Sequence, residues 1–416
     1  MIIDSKQYNG VCECGRAHAM TTEICYIEAG ALFNVNRYIS ECGISGVGAA
    51  IYDENTYEAV KDRLPDVKYQ IILPAEGLHA DNHGVDLLTE RLPEEGVDYL
   101  IAVGAGSIHD ITRYTAYVRK IPFISCPTAA SVDGFCSSVA AMTWHGFKKT
   151  LTAVAPTMVV ADLDVITKAP MYLTKSGFCD MVGKFIALAD WEIGHILTGE
   201  YLCEKIYGIT YKATRELVEA AADIARGTYE AYEKLIYGLL MSGLAMQLLG
   251  NSRCASGAEH HISHIIEMQP VGLGVSSLAL HGEKVGVGTL IAAREYHRLA
   301  SLENISWGDY KAASDEYITG MFGSLGESVI EENNKDVALG ISAERIAECW
   351  DKIKAVIAKI PTYEELLSIY GILGAYSTLT DISVPEDRLA GLIEYSPLVR
   401  NRLTLMRLRR AIVSEV

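Results

Sequence analysis

The sequence lacks the features that would place the protein in a membrane or on a nucleic acid. The apolar run that comes nearest to spanning a bilayer, residues 235–249, is too short to cross it. The first residues have neither the cationic start nor the apolar core of a signal peptide. The formal net charge is -17, which disfavours nucleic acid and anionic lipid because both need clustered Lys and Arg. We therefore expect a cytoplasmic protein with no nucleic-acid or membrane partner.

A disulfide framework is also missing. The ten cysteines are scattered without regular spacing, and a chain of this size without a signal peptide keeps its thiols reduced. Cys12, Cys14 and His18 have the spacing of half a metal knuckle, but no second Cys/His pair follows at knuckle spacing. We interpret these three residues as structural. Internal repeats and low-complexity tracts are absent as well.

What the sequence does contain is an alternation of short apolar runs with amphipathic segments, between residues 23 and 164. This alternation predicts a mostly parallel sheet with helices on both faces, a Rossmann-like α/β domain. The predicted strands are residues 46–52, 69–73, 99–103, 121–126 and 158–163, and the predicted helices between them are residues 32–42, 85–92 and 107–118.

The pattern changes after Ala169 and Pro170, where helical periodicity replaces strand alternation. The longest predicted helices cover residues 179–197, 201–237 and 343–360, with a locally basic C-terminal helix over 397–413. We therefore predict two domains, an α/β domain over 1–166 and an all-helical domain over 167–416, with an active site in the cleft between them. The long apolar helices further suggest a homodimer.

Ligands of parallel sheets bind beyond the carboxyl ends of the strands. Two loops at predicted strand ends are therefore candidates for a nucleotide site, and both are rich in small residues. Glycines directly after a strand let backbone N–H groups approach a phosphate. The first loop follows strand 99–103 and contains Gly104, Gly106, Ser107, Ile108, His109 and Asp110. The second follows strand 121–126 and contains Thr128, Ala129, Ala130, Ser131, Asp133 and Ser137.

Two carboxylates near these loops have candidate roles. Asp133 stands among small uncharged residues and is suited to accept a hydrogen bond from a substrate hydroxyl. Asp53 ends an earlier strand, where an acidic residue accepts hydrogen bonds from an adenosine ribose. The alternative for Asp53 is an ordinary N-cap of the helix that follows.

Histidines four residues apart suggest a metal site in the second half of the chain. On a helix, His260 and His264 share one face, and His281 opens a second apolar helix after a Gly-rich loop. Asp180 lies in an apolar helical segment, where a buried carboxylate needs a cation, and Lys184 is four residues further on. One Asp with two His gives a mixed O/N donor set for Zn²⁺, Ni²⁺ or Fe²⁺.

These motifs together resemble the sn-glycerol-1-phosphate dehydrogenases, within the superfamily of metal-dependent polyol dehydrogenases and 3-dehydroquinate synthases. The resemblance extends from about residue 12 to about residue 300. It rests on the Gly104–Asp110 and Pro127–Gly134 segments, on Gly177 with Asp180, and on the segments that contain His260, His264 and His281.

The resemblance implies roles for individual residues. Asp180, His260 and His281 would bind one divalent metal, and His264 and Asp133 would contact substrate, a role that is also open to Asp180. Lys184, four residues after Asp180, is a further catalytic candidate by its position. Residues Gly106 to Asp110, Thr128 to Ser131 and Ser137 would line NAD(P), and Gly104 and Asp53 join this cofactor-binding set by their positions at strand ends. His261 has no role in the family pattern and is interpreted as structural. Arg253 is either a phosphate ligand or a clamp on its own loop.

The implied activity is the NAD(P)-dependent reduction of dihydroxyacetone phosphate, a phosphorylated triose, to sn-glycerol 1-phosphate. Three alternatives stay open at this point. One is a glycerol dehydrogenase or related polyol dehydrogenase acting on an unphosphorylated substrate. Another is a dehydroquinate-type cyclase, which the small number of basic residues disfavours. The third, from a different class, is a nucleotide- or metal-sensing protein that has lost catalysis.

Overall fold

A seven-stranded sheet organises the first part of the chain in the computed structural model, which describes residues 1–144 and 147–415. Its strand order is β1-β4-β11-β8-β7-β5-β6, and all neighbours are parallel except β1 and β4. The strands of this sheet are β1 (Ile2–Asp4), β4 (Ile24–Glu28), β5 (Gly48–Asp53), β6 (Tyr69–Leu73), β7 (Tyr99–Gly104), β8 (Phe123–Pro127) and β11 (Met158–Asp162).

Three antiparallel pairs of short strands complete the β structure of the described residues. They are β2 (Gly10–Val11) with β3 (Ala17–His18), β9 (Val139–Trp144) with β10 (Phe147–Thr152), and β12 (Ile305–Trp307) with β13 (Ile412–Glu415). The third pair is an exception to the predicted all-helical character of residues 167–416. The β9–β10 hairpin was not predicted from the sequence.

The sheet is covered on both faces, as the continuous apolar strands predict. Every residue of β7, β8 and β11 is buried. Alternate residues of β7 belong to separate core clusters, with Ile101 and Val103 in one and Leu100 and Ala102 in the other. This alternation is the period-2 geometry of a strand, and it confirms the predicted α/β class.

Eighteen α-helices surround or follow this sheet in the described residues. Those up to residue 166 are α1 (Val35–Glu41), α2 (Glu54–Val60), α3 (Asn82–Arg91), α4 (Gly106–Arg119) and α5 (Leu163–Ile166). The others are α6 (Met171–Val182), α7 (Lys184–Thr198), α8 (Glu204–Glu219), α9 (Ala221–Ala225), α10 (Tyr229–Leu249), α11 (Ala258–Met268), α12 (His281–Ser301), α13 (Asp315–Phe322), α14 (Gly326–Asn333), α15 (Ala343–Ile357), α16 (Tyr363–Leu373), α17 (Leu389–Tyr395) and α18 (Leu405–Leu408).

Three helix predictions are corrected by the structure. The helix predicted over 179–197 is interrupted at Gly183, between α6 and α7, so Asp180 and Lys184 are not on one continuous helix. The helix predicted over 201–237 is divided into α8, α9 and the start of α10. The predicted C-terminal helix over 397–413 consists of two 3-10 turns, the single turn of α18, and the start of β13.

The chain forms two compact units, and both are discontinuous in sequence. The first contains Met1–Met181 and Arg215–Asn251, and the second contains Val182–Thr214 and Ser252–Val416. The domain boundary expected near residue 167 stays a prediction. Among the described residues, no helix combines the length and the apolar character that a bilayer crossing requires.

Candidate active site

The Gly-rich turn between β7 and α4 lies in the first unit, at the carboxyl end of a central strand. A Cβ on Gly104 would lie 2.6 Å from the Cβ of Ile108, so the close packing of this turn requires glycine. Gly106 is different, because the nearest atom to a Cβ there would be 3.7 Å away, on Val132. Helix α4 begins at Gly106 and has no side-chain hydrogen bond at its N-cap, Ala105. Its first backbone N–H groups are therefore not capped by that side chain.

His109 is buried inside this turn and its ring is held by the protein itself. Nδ1 lies 2.9 Å from the carbonyl oxygen of Ala105, and Nε2 lies 2.9 Å from the hydroxyl of Ser125. Because the carbonyl only accepts, Nδ1 carries the proton and Nε2 accepts from Ser125. Burial lowers the pKa of His109 to about 3, and the charge of Arg113 adds to the effect. The ring is thus a neutral support for the turn.

Arg113 links α4 to the second predicted loop, and sequence reasoning did not find it. Its guanidinium donates to Asp110 at 3.2 Å and to the carbonyl oxygens of Gly134 at 2.7 Å, Phe135 at 3.0 Å and Val139 at 3.0 Å. The i,i+3 spacing of Asp110 and Arg113 was the signal available in the sequence. Asp110 therefore orients a buried arginine that fixes the loop after β8.

The loop after β8 brings Asp133 next to Asp180. The backbone N–H of Asp133 donates to Asp180 Oδ2 at 3.0 Å, and the Ser242 hydroxyl donates to Asp133 Oδ2 at 2.8 Å. Asp180 is fully buried on α6. Ser242, on α10, was not predicted, since nothing in the sequence relates it to Asp133. The two carboxylates that the sequence singled out for chemistry are thus neighbours in the first unit.

The other predicted residues of this loop are buried or hydrogen-bond within the protein. The backbone N–H of Thr128 donates to the Gly104 carbonyl at 3.0 Å, which ties the two loops together. The carbonyl of Ser131 accepts from the Ser176 hydroxyl at 3.1 Å, and Ala129 and Ala130 are buried. The Ser137 hydroxyl is within hydrogen-bond distance of the Val139 backbone, at 2.9 Å from its oxygen and 3.0 Å from its nitrogen.

Asp53 adopts the structural alternative that the sequence left open. Its Oδ1 accepts from the Thr56 N–H at 2.8 Å, while Thr56 Oγ1 accepts from the Asp53 N–H at 3.0 Å. This reciprocal pair is a capping box at the N-terminus of α2. A ribose contact by the same residue stays a prediction.

The predicted histidine cluster forms in the second unit, on α11 and the first turn of α12. The ring centroids of His260 and His264 are 5.9 Å apart, those of His260 and His281 are 5.4 Å apart, and those of His264 and His281 are 5.9 Å apart. Three side chains, those of His264, Glu267 and His281, each have a potential metal-ligating atom within 4.8 Å of the other two. Burial lowers the pKa of His264 well below its ordinary value, so its imidazole is neutral.

Two glutamates orient the rings, and sequence reasoning missed both. His260 Nδ1 lies 2.6 Å from Glu259 Oε1, and His281 Nδ1 lies 3.0 Å from Glu267 Oε1. A carboxylate accepts the proton on each Nδ1, so each Nε2 presents its lone pair. Carboxylates hold metal-ligating histidines in this way. Lys284 also pairs with Glu267 at 3.0 Å. These two imidazoles therefore fit a divalent metal.

The remaining candidates in the second unit, His261, Arg253 and Lys184, are buried. His261 is fully buried, and neither ring nitrogen has a hydrogen-bond partner in the described part of the chain. Arg253 binds Glu200 at 2.8 and 3.0 Å and the carbonyl oxygens of Asp190 at 2.8 Å and Leu403 at 2.6 Å. These contacts favour the clamp over the phosphate ligand. Lys184, the first residue of α7, is fully buried.

Comparison with known proteins first defines the class. Residues 26–170 match the family described as iron-containing alcohol dehydrogenase. The crystal structure of a probable glycerol dehydrogenase from Sinorhizobium meliloti has a TM-score of 0.61 and 18% sequence identity, over 94% of this chain and 95% of that one. The chain therefore shares the fold of that structure, a parallel-sheet α/β part followed by helices.

Sequence relatives then identify the family. The glycerol-1-phosphate dehydrogenase (NAD(P)+) of Bacillus licheniformis is 37% identical over 317 residues, which cover 74% of this chain and 78% of that protein. The enzyme of the same name from Geobacillus thermodenitrificans is 44% identical over 224 residues. That match covers 54% of this chain, which spans only about half, 55%, of that relative's length. The chain belongs to the glycerol-1-phosphate dehydrogenase family, as the sequence motifs predicted.

Proposed function

We propose that this protein catalyses the NAD(P)-dependent reduction of dihydroxyacetone phosphate to sn-glycerol 1-phosphate. The observation that carries the proposal is the match to named glycerol-1-phosphate dehydrogenases over most of the length of at least one of them. The Gly-rich turn after β7 supports a dinucleotide cofactor, because it combines close packing at Gly104 with the absence of a side chain at Gly106, the first residue of α4.

The proposed metal ligands are Asp180, His260 and His281. Their donor set of one carboxylate and two imidazoles suits Zn²⁺, Ni²⁺ or Fe²⁺, and Glu259 and Glu267 hold the two rings in the tautomer that leaves Nε2 ready to bind. A divalent metal bound there supplies Lewis-acid polarisation of the substrate carbonyl. The fixed rings mean that little reorganisation is needed on binding.

The other proposed roles follow from the chemistry of each side chain. His264 is neutral and suited to hold or relay a proton at the substrate oxygen. Asp133, oriented by Ser242, accepts a hydrogen bond from a substrate hydroxyl, and Lys184 offers a cation. The proposed nucleotide-lining residues are Asp53, Gly104, Gly106, Ser107, Ile108, His109, Asp110, Thr128, Ala129, Ala130, Ser131 and Ser137. His109 and Asp110 would act by supporting the loops, since their side chains bond within the protein.

We further propose that the enzyme works in the cytoplasm as a homodimer, on a small phosphorylated substrate and without a nucleic-acid or membrane partner. The net charge of -17 supports the last point, because it disfavours polyanionic partners. The long apolar helices of the second half support self-association.

The deciding experiment compares two ketones on the purified protein. Oxidation of NADH and of NADPH is followed with dihydroxyacetone phosphate and with dihydroxyacetone, using metal-stripped protein and the same protein reloaded with Zn²⁺, Ni²⁺ or Fe²⁺. We expect turnover of the phosphorylated ketone only after metal is restored. A clear preference for dihydroxyacetone would replace the proposal with a glycerol dehydrogenase, and no turnover of either ketone with any of the three metals would contradict it.

A further inference from the structure

Sulfur and nitrogen donors converge in the hairpin formed by β2 and β3, within the first unit. The ligating atoms of Cys12, Cys14 and His18 all lie within 4.8 Å of one another. The Cys14 Sγ atom is 3.3 Å from His18 Nε2. None of these residues belongs to the proposed active site, and sequence spacing alone gave them no ligand role.

The backbone of the hairpin produces this convergence. Gly10 pairs with His18 and Val11 with Ala17 in the antiparallel register. The Cys12 N–H donates to the Arg16 carbonyl at 2.9 Å, and the Gly15 N–H donates to the Cys12 carbonyl at 2.9 Å. Gly15 has a φ of +84°, in the left-handed region that favours glycine. This tight turn directs both thiols toward the histidine at the end of β3.

A contact with the far end of α10 fixes the state of the histidine. His18 Nδ1 lies 2.8 Å from the carbonyl oxygen of Leu248. A carbonyl only accepts, so Nδ1 carries the proton and the lone pair is on Nε2, the nitrogen that faces Cys14. His18 is only 6% exposed, which holds the ring in this orientation. Donation from Nδ1 to a backbone carbonyl is the usual support of a metal-ligating histidine.

The separation of Cys14 and His18 matches that of two ligands in a tetrahedral metal site. With Zn–S bonds of about 2.3 Å and Zn–N bonds of about 2.0–2.1 Å, tetrahedral angles place S and N ligands roughly 3.5 Å apart. The observed Cys14–His18 separation is 3.3 Å. A simple S–H···N hydrogen bond would account for this pair, but it would not require Cys12 to converge on the same point.

We propose that Cys12, Cys14 and His18 bind a structural zinc ion, which fastens the N-terminal hairpin to the end of α10. Two thiolates with one imidazole form a softer donor set than the Asp-His-His set of the proposed active site, and soft donors select zinc. Water or a further side chain fills the fourth position of the tetrahedron. This site is independent of the proposed function, since it requires neither nucleotide nor substrate.

Cobalt substitution distinguishes this site from any other metal site in the protein. Metal-stripped wild-type protein is titrated with Co²⁺ under reducing conditions, and the thiolate-to-cobalt charge-transfer absorption is recorded. Only a site with sulfur ligands gives this absorption, so the proposed active site does not contribute. We expect one equivalent of Co²⁺ to produce it, and zinc to abolish it by displacement. Absence of the absorption in the wild-type protein overturns the proposal without any variant.

Variants then assign the ligands. The double variant Cys12→Ser/Cys14→Ser should lose the absorption, bind one equivalent of zinc less than wild type, and unfold at a lower temperature. Cys42→Ser, which changes another partly exposed cysteine of the first unit, is the matched control and should change neither metal content nor absorption. His260→Ala should keep the absorption. If the double variant retains the charge-transfer absorption, the proposal is wrong.

Discussion

At the level of single residues, the hydrogen-bond partner of each histidine decides what its ring can do. Glu259 and Glu267 accept the Nδ1 protons of His260 and His281, which leaves Nε2 available on both rings. His261, directly next to His260, is fully buried, and neither of its ring nitrogens has a hydrogen-bond partner among residues 1–144 and 147–415. Two neighbouring residues of α11 therefore have different expected roles: His260 is expected to bind metal, and His261 is expected to pack in the core.

This contrast gives the first prediction. His260→Ala should remove the active-site metal and nearly all turnover while the fold is retained, because three protein ligands leave no redundancy. His261→Ala should keep the metal and the activity but lower the free energy of unfolding by about 1–3 kcal/mol, since it empties a buried position. The measurements are the metal content, the turnover rate and the free energy of unfolding from urea titration for both variants. Loss of metal from the His261 variant, with metal retained in the His260 variant, would reverse the assignment on α11.

Arg253 shows how contacts favour one of two roles that a sequence allows equally. Its position before the histidine helix suited either a phosphate ligand or a loop clamp. The structure commits its guanidinium to Glu200 and to the carbonyl oxygens of Asp190 and Leu403. Its Nε and Nη2 donors are committed to these protein acceptors and the side chain is buried, which favours the clamp.

At the level of elements, the junction of β7 and α4 contains two glycines with different purposes. A side chain at Gly104 would collide with Ile108, whereas a Cβ at Gly106 would make only an ordinary contact with Val132. The first glycine is needed for the fold of the turn. The second places no side chain on the first residue of α4, as the proposed nucleotide site requires, and Ala105 does not cap that end with its side chain.

The second prediction separates these purposes. Gly106→Val should raise the KM for NADH by about tenfold or more, equivalent to roughly 1.4 kcal/mol, with little change in stability. Gly104→Ala should instead destabilise the protein by about 1–3 kcal/mol through overpacking against Ile108. Steady-state kinetics and thermal unfolding of both variants provide the measurement, with Gly106→Ala as the control for loss of glycine alone. A stable Gly106→Val variant with an unchanged KM would remove this turn from the nucleotide site.

The C-terminal segment illustrates an element whose conformation its local pattern did not determine. Residues 397–413 have a helical pattern with repeated arginines, yet only the single turn Leu405–Leu408 is α-helical there. Arg407 is fully buried and pairs with Asp336 at 2.8 Å, and it donates to the carbonyl oxygens of Pro397 and Arg400. In a continuous helix the carbonyl oxygens of Pro397 and Arg400 would accept from backbone N–H groups four residues further on, whereas here they accept from the Arg407 side chain.

At the level of the whole molecule, buried neutral imidazoles connect stability to pH. His109 has a pKa lowered from the ordinary 6.5 to about 3 by burial, so it folds in its neutral form. A depressed histidine pKa contributes stability that is present above pH 6.5 and is lost as the pH falls from 6.5 toward 3. The folded protein should therefore become less stable on mild acidification, before most carboxylates titrate.

The third prediction tests that dependence. The free energy of unfolding should decrease between pH 6.5 and pH 5, and His109→Gln should reduce the slope by up to about 1.4 kcal/mol per pH unit, the value of one proton. Urea unfolding at several pH values measures how the free energy of unfolding changes with pH. His79→Gln, at an exposed position, serves as the control. The same slope in wild type and in the His109 variant would show that His109 does not contribute.

The sequence by itself determined the sheet, the family and most of the candidate residues. Apolar runs such as 69–73 and 99–103 have few other ways to be buried than as strands of a covered sheet. The His260–His264 spacing predicted one helical face because helix geometry is local. Only the tertiary structure showed what depends on distant partners. It brought Ser242 to Asp133, Leu248 to His18 and Asp336 to Arg407, contacts between residues 109, 230 and 71 positions apart in the chain. No local pattern encodes such pairs, because they form only when the packed core fixes the elements that carry them.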